Sequence, residues 1–194
     1  HNGIGWHYTI FLLLVASMMG MVMTNDLFNM YVFIEVTGIA ACALVLAKGG
    51  RMATEAAFKY LLLATVGSGF VLTGIALIYV ITGNLNIPYV AAEFARVYPQ
   101  YPYLIWTVLS FFLVGFGIKS ALFPLHVWLP DAHSAAPTTS SAVLSGLVVK
   151  AYIVALAKFY FLIFGFGLLD QIFIRHMILI MATGAILGGS LFAF

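Results

Sequence analysis

Charged side chains are scarce in this chain of 194 residues: 7% are Asp, Glu, Lys or Arg, against 64% hydrophobic. A soluble domain carries about a quarter of its residues as charges, so the usual water-facing surface is missing, and the mean hydropathy of +1.12 agrees. The formal net charge of +2 leaves no basic stripe to match phosphates, which excludes a nucleic-acid partner. Cysteine is nearly absent. Cys42 stands alone in an apolar run, so no internal disulfide framework exists, and it reads as a small packing residue. No Gly-rich phosphate loop, nucleophile elbow or zincin motif occurs. The histidines are not paired inside helices as haem ligands would be. The chain holds no visible redox or catalytic centre, and the expected cofactor and metal are none.

What the sequence has in abundance is apolar length. Six hydrophobic segments run from Tyr8 to Thr24, from Leu27 to Ala47, from Ala56 to Thr82, from near Tyr103, from near Ser141, and from near Ile172 onward. Several approach or exceed the roughly 20 residues that cross a bilayer as a helix. Lipid offers no partner to unpaired backbone groups, so spanning segments must be helices. The expected fold class is all-α, a polytopic transmembrane bundle of about six helices in contact with the lipid bilayer. No signal peptide is visible, and the chain reads as a piece of a longer membrane protein.

Asn25-Asp26 and Lys48-Gly49-Gly50-Arg51 make the first two turns, and Thr82-Gly83-Asn84 ends the third helix. Ile87 to Tyr98 reads as a short interfacial stretch. Tyr89, Tyr98, Tyr101, Tyr103 and Trp106 gather there, as amphipathic rings do at headgroup level. The basic residues of the Lys48/Arg51 loop place it on the cytoplasmic side by the positive-inside rule.

Ionisable residues deep in such segments are functional hypotheses by default, because each costs about 2.5–3.5 kcal/mol even on the most forgiving scale. Glu35 lies about 12 Å from one end of its segment and about 18 Å from the other at a 1.5 Å rise per residue. A glutamate cannot reach either interface from there, so it must be protonated, paired or wetted by a cavity. Lys150 stands well inside the fifth segment among Val148, Val149, Ala151, Tyr152 and Ile153. Burial disfavours the charged form of a lysine, which would let Lys150 exchange a proton at working pH. The apolar run from Tyr103 continues past Lys119 and Pro124 and is too long for one straight span. Pro124 removes an amide donor and clashes with the preceding turn, so the helix is expected to break there, with Lys119 one turn before the break. Broken helices at membrane depth line cavities and are common ion sites.

His126, Asp131 and His133 follow in one stretch. Histidine titrates near neutrality and can shuttle protons; His126 is placed inside the membrane, whereas Asp131 and His133 cap the next helix or face water. The trio lacks the ligand types and spacing of a zinc site. Glu55 and Lys59 are spaced to pair along one helix, with Lys59 also able to reach inward. Lys158 sits near the far interface. Asp26, Glu93, Arg96, Asp170 and Arg175 are loop or end charges. The proton-pathway candidates are therefore Glu35, Lys119, Lys150 and His126, with Lys59, His133, Asp131 and Lys158 secondary.

The stretch Asn25-Asp26-Leu27-Phe28-Asn29-Met30-Tyr31-Val32-Phe33-Ile34-Glu35-Val36 resembles the Glu-bearing helix of antiporter-like subunits. These occur in respiratory complex I, in Mrp-type sodium/proton antiporters and in membrane-bound hydrogenases. Gly117-Ile118-Lys119-Ser120-Ala121-Leu122-Phe123-Pro124-Leu125-His126-Val127-Trp128-Leu129-Pro130-Asp131-Ala132-His133-Ser134 is similar to that family's most recognisable motif, and Ala136-Pro137-Thr138 and Lys150 continue the match. The resemblance implies a core of two inverted five-helix repeats, each with a broken helix. Residues 1–194 would be the first repeat and the start of the second, forming one proton-translocating domain. It implies Glu35 as the carboxylate partner, Lys119 as the broken-helix lysine and Lys150 as the central-axis lysine. It further implies proton translocation, with H+/Na+ antiport as a variant, alongside other membrane subunits of one complex in a prokaryotic cell (inner) membrane. The wording around Asp26 is closer to the D-type Mrp or hydrogenase-associated subunits than to an NADH-quinone oxidoreductase subunit, which is the alternative. In the oxidoreductase or hydrogenase case the chain would be the proton-pumping subunit of an enzyme. From other functional classes, a solute transporter and a structural membrane subunit also fit the buried charges.

Overall fold

The computed structural model describes residues 2–165 and 174–192. Asp170 and the expected start of the sixth segment near Ile172 lie outside the described residues. Among the described residues eight helices follow one another: α1 Asn2–Met23, α2 Leu27–Leu46, α3 Arg51–Thr82, α4 Ile87–Val97, α5 Pro102–Lys119, α6 Trp128–Ala135, α7 Thr138–Phe164 and α8 Ile174–Phe192. Five of them, α1, α2, α3, α5 and α7, are long and apolar enough to cross a membrane. The chain is a multi-pass, all-helical membrane protein.

Local chemistry sets most helix ends. Asp26 caps α2 through its carboxylate, which accepts from the Asn29 amide at 2.8 Å. Pro102 opens α5, where its missing amide costs nothing. Gly83 closes α3 in the left-handed region at φ 65°. Helices α1 and α3 start five or six residues earlier than the apolar runs do, because polar first turns (Thr54 and Glu55 in α3) are helical yet invisible to hydropathy. Helix α4 buries Ile87, Val90 and Phe94 and leaves Tyr89 and Arg96 outward, the amphipathic pattern of an interfacial element. Its start is tied to the α1–α2 turn: Leu27 donates to the Leu85 carbonyl at 2.9 Å, and Ile87 to that of Asn25 at 2.8 Å.

Helix α3 is the spine, packed against α2, α5 and α6. In lipid there is no hydrophobic force between helices, so close packing through small residues holds them. Gly67 and Gly115 make such a contact: a Cβ at Gly115 would fall 2.7 Å from Val71 Cγ2 and 2.8 Å from the Gly67 carbonyl oxygen. Backbone cannot yield to a methyl, so Gly115→Ala should destabilise the protein by about 1–3 kcal/mol, as overpacking does. Thermal unfolding of the full-length protein in detergent measures this. Gly69→Ala, on the same α3 but facing open space, should hold or raise the midpoint, because alanine is the better helix former.

Helix α7 is not uniform. Residues Leu144–Val148 and Tyr160–Phe164 form single π-helical turns inside it. Such turns occur frequently at functional sites.

Candidate functional site

Helix α5 ends at Lys119, and α6 begins at Trp128; Pro124 lies in the irregular connection. The end of α5 is closed by a Schellman motif: Leu122 donates to the Gly117 carbonyl at 2.8 Å and Ala121 to that of Ile118 at 3.2 Å. Ala121 occupies the left-handed position at φ 53°, where glycine is usual. The Ile118 carbonyl has a second partner, the Trp128 indole N–H at 2.8 Å. The Trp128 ring in turn meets Tyr60 of α3 edge to face, with centroids 4.8 Å apart. The broken segment is thus pinned on both sides of the break, and Lys119 is the last helical residue before it.

From that position Lys119 points into the bundle and is only 3% exposed. Its Nζ donates to Glu35 Oε1 of α2 at 3.3 Å. Gly38, one helical turn beyond Glu35, borders the same site: a Cβ there would sit in ordinary contact, 3.5 Å from Lys119 Nζ and 3.8 Å from the Tyr152 hydroxyl. Tyr152 of α7 is fully buried, presents its ring 5.8 Å from Lys119 Nζ, and donates to the Ile34 carbonyl at 3.4 Å. A cation over an aromatic face is attracted by the ring quadrupole, so Lys119 has both a counter-charge and a π-face. The Glu35 side chain is 34% exposed. It is therefore both paired with Lys119 and open on one flank. Ser68 of α3 hydrogen-bonds the same Oε1, a partner for which the sequence carried no signal beyond a serine in an apolar helix.

Lys150 occupies a different setting. It lies on the outer face of the described residues, and its Nζ donates to the Ser145 carbonyl at 2.7 Å, within the π-turn that precedes it. An apolar groove of about 430 Å³ adjoins it, lined by Val15, Met18, Met19, Val22 and Leu147. His133 donates to or accepts from the Ser141 hydroxyl at 2.8 Å in the first part of α7, and it lies close enough to Lys150 to feel that charge. His126 stacks on Phe123 with centroids 5.5 Å apart, and its buried Nδ1 has no hydrogen-bond partner among the described residues.

The other secondary candidates sit where helices meet or end. Lys59 joins α3 to α6 by bridging Glu55 and Asp131, each at 3.0 Å. Both pairs are well exposed, a setting in which an ion pair contributes little stability. Lys158 caps the C-terminal end of α1, donating to the Val22 carbonyl at 2.8 Å and to that of Thr24. A lysine at a helix C-terminus meets both the orphan carbonyls and the negative end of the dipole. Cys42 donates weakly to the Ala57 carbonyl at 3.4 Å, in keeping with packing. Among the described residues no cluster of His, Cys, Asp and Glu could hold a metal ion.

Residues 24–194 match the family described as NADH:quinone oxidoreductase/Mrp antiporter, TM. The N-type subunit of NADH-quinone oxidoreductase from Desulforudis audaxviator is 42% identical over 157 residues, which are 79% of this chain and 30% of that protein. The D-type subunit of the Na(+)/H(+) antiporter from Alkalihalophilus pseudofirmus is 33% identical over 177 residues, 91% of this chain and 35% of that protein. Among solved structures, the membrane-bound sulfane sulfur reductase, an archaeal respiratory membrane complex, contains a chain that matches with a TM-score of 0.82 at 36% identity, covering 90% of this chain and 35% of that one. The chain thus spans about a third of the length of the proteins it matches. With its pinned helix break, its family match over residues 24–194 and its likeness to these subunits, the chain belongs to the NADH:quinone oxidoreductase/Mrp antiporter transmembrane family.

Proposed function

We propose that this chain forms part of a proton-translocating subunit of a multisubunit membrane complex, with Glu35 and Lys119 as the charge pair at its centre. The single observation that carries the reading is an ammonium 3% exposed, held at the end of a broken helix 3.3 Å from a carboxylate. A buried charge is tolerable only while its partner remains charged. Protonating Glu35 or drawing it away leaves Lys119 as an uncompensated charge, and the proton on Nζ is then the group free to leave. Lys150 is the proposed next stop, reached through water and by way of His126 or His133. Like charges on Lys119 and Lys150 oppose simultaneous protonation, so the two titrate as a coupled system.

The driving energy would come from a redox partner subunit or from an existing ion gradient, since no redox centre is expected in this chain. The membrane is proposed to be a prokaryotic inner membrane, a reading supported by the bacterial relatives. Residues 1–194 are proposed to supply the first five-helix repeat of the translocating core and the start of the second. The stretch around Asp26 favours a D-type antiporter or hydrogenase-associated subunit, while the 42% identity to an N-type subunit favours an oxidoreductase.

Glu35→Gln in the full-length protein, assembled in its complex and reconstituted in proteoliposomes, tests the reading. Glutamine keeps the shape and a hydrogen-bond acceptor but carries no charge, so proton translocation per assembled complex should fall to background even where assembly is weakened by the unpaired lysine. Normal translocation by the assembled variant would sink the relay.

A further inference from the structure

A carboxyl group that changes charge inside a membrane needs a partner in each state, because a buried polar group without one is costly. Neutral and ionised carboxyl groups make opposite demands: the carboxylate only accepts, whereas the acid also donates through its O–H. Lys119 can serve only the carboxylate, since an ammonium donates and never accepts.

Ser68 has what Lys119 lacks. It sits midway along α3, is 3% exposed, and its Oγ lies within hydrogen-bond reach of two acceptors, Glu35 Oε1 and the Ala64 carbonyl at 3.0 Å. The hydroxyl carries one proton and two lone pairs, so it can donate to only one of these at a time. The second acceptor, one turn back on its own helix, is always present. Glu35 therefore faces a group that can donate or accept by turning its O–H about the Cβ–Oγ bond, with no need for the helices to move.

We propose that Ser68 is a hydroxyl rotor that partners Glu35 in both of its charge states, and so acts as a positioning residue for the Glu35–Lys119 pair. With Glu35 ionised, the Ser68 O–H points to Oε1 beside the Lys119 ammonium. When Glu35 takes up a pathway proton on Oε1 while Lys119 is still an ammonium, the new carboxylic O–H donates to Ser68 Oγ. The Ser68 O–H turns to the Ala64 carbonyl. Ser68 itself neither gains nor loses a proton. The titratable groups that feel Glu35 are Lys119 of α5, Tyr60 of α3, Tyr152 of α7 and Tyr31 of its own helix. Each tyrosine can also turn a hydroxyl, but among the hydroxyl groups of the described residues it is Ser68 that is hydrogen-bonded to the carboxylate.

This inference deepens the relay proposed above, which requires Glu35 to change charge, and its test has a readout separate from transport. Infrared difference spectra of the full-length protein in its complex, taken across a pH titration, contain a protonated-carboxyl band that Glu35→Gln removes. Ser68→Ala should move that band to higher frequency, because the acid has lost its acceptor, and should lower translocation several-fold. Ser68→Thr retains the hydroxyl and should restore both. A Glu35 band at the wild-type position in Ser68→Ala, or no Glu35 band at any pH, overturns the rotor. If Glu35→Gln still translocates while Ser68→Ala moves the band, the rotor stands and the relay falls.

Discussion

Lys119→Ala is expected to reduce proton translocation to background while the complex still assembles. The two halves of that outcome come from the asymmetry of the pair. Lys119 is the buried member, whereas the Glu35 side chain is 34% exposed and keeps Ser68 as a hydrogen-bond partner when the lysine is gone. Removing Lys119 therefore leaves a carboxyl group that still has the Ser68 hydroxyl as its partner and can remain satisfied. Removing Glu35 instead leaves a lone ammonium in a dry site, and an uncompensated buried charge of that kind costs about 3–5 kcal/mol. Lysine is thus the better side of the pair to delete. Lys119→Arg sharpens the test, since a guanidinium pairs well with a carboxylate yet does not give up its proton in proteins. It should assemble with the pair intact and still fail to translocate. Translocation at the wild-type rate by either variant, measured in proteoliposomes with a pH-sensitive dye, would remove Lys119 from the pathway.

Lys150→Met is expected to abolish net translocation with the Glu35–Lys119 pair undisturbed. In the described residues the Lys150 ammonium has the Ser145 carbonyl as its hydrogen-bond partner. The neighbouring groove already holds Met18 and Met19, so a methionine of similar length fits there without strain. Exchanging a charge at membrane depth for apolar bulk is often neutral or stabilising, so thermal stability should hold or rise. The combination of retained stability and lost transport separates a proton carrier from a lysine that merely holds helices together. A variant that is both stable and fully active would assign Lys150 to structure.

Much of this arrangement was legible in the sequence because charge is so rare in it. With so few ionisable residues, depth within an apolar run is easily judged, and that judgement singled out Glu35 and Lys119, which meet at 3.3 Å across 84 positions of sequence. Depth does not reveal azimuth. Lys150 looked as interior as Lys119, yet it lies on the outer face of the described residues, because depth along a helix leaves open which way a side chain faces. Lys158 was placed by its distance from Lys150 alone, and nothing in the sequence tied it to the end of α1. Ser68 stayed hidden for a different reason: serine is common in membrane helices as packing and as a back-bonding group, so only the position of Oε1 distinguishes it.

The π-turn at Leu144–Val148 gives α7 a tolerance of length that no substitution would expose. Such a turn holds one more residue than the α-helical turn it replaces. Deleting a single residue there would let the helix close into regular α geometry with every hydrogen bond remade, so the segment would still be stable and still span. Because the π-turn absorbs its extra residue, the halves on either side would keep nearly their present facing, and Tyr152 would still reach Lys119. The same deletion in a regular stretch of α7 would rotate everything beyond it by about 100° and draw it back by about 1.5 Å. A one-residue deletion within Leu144–Val148 should therefore be tolerated far better than one in the α-helical stretch Val149–Phe159.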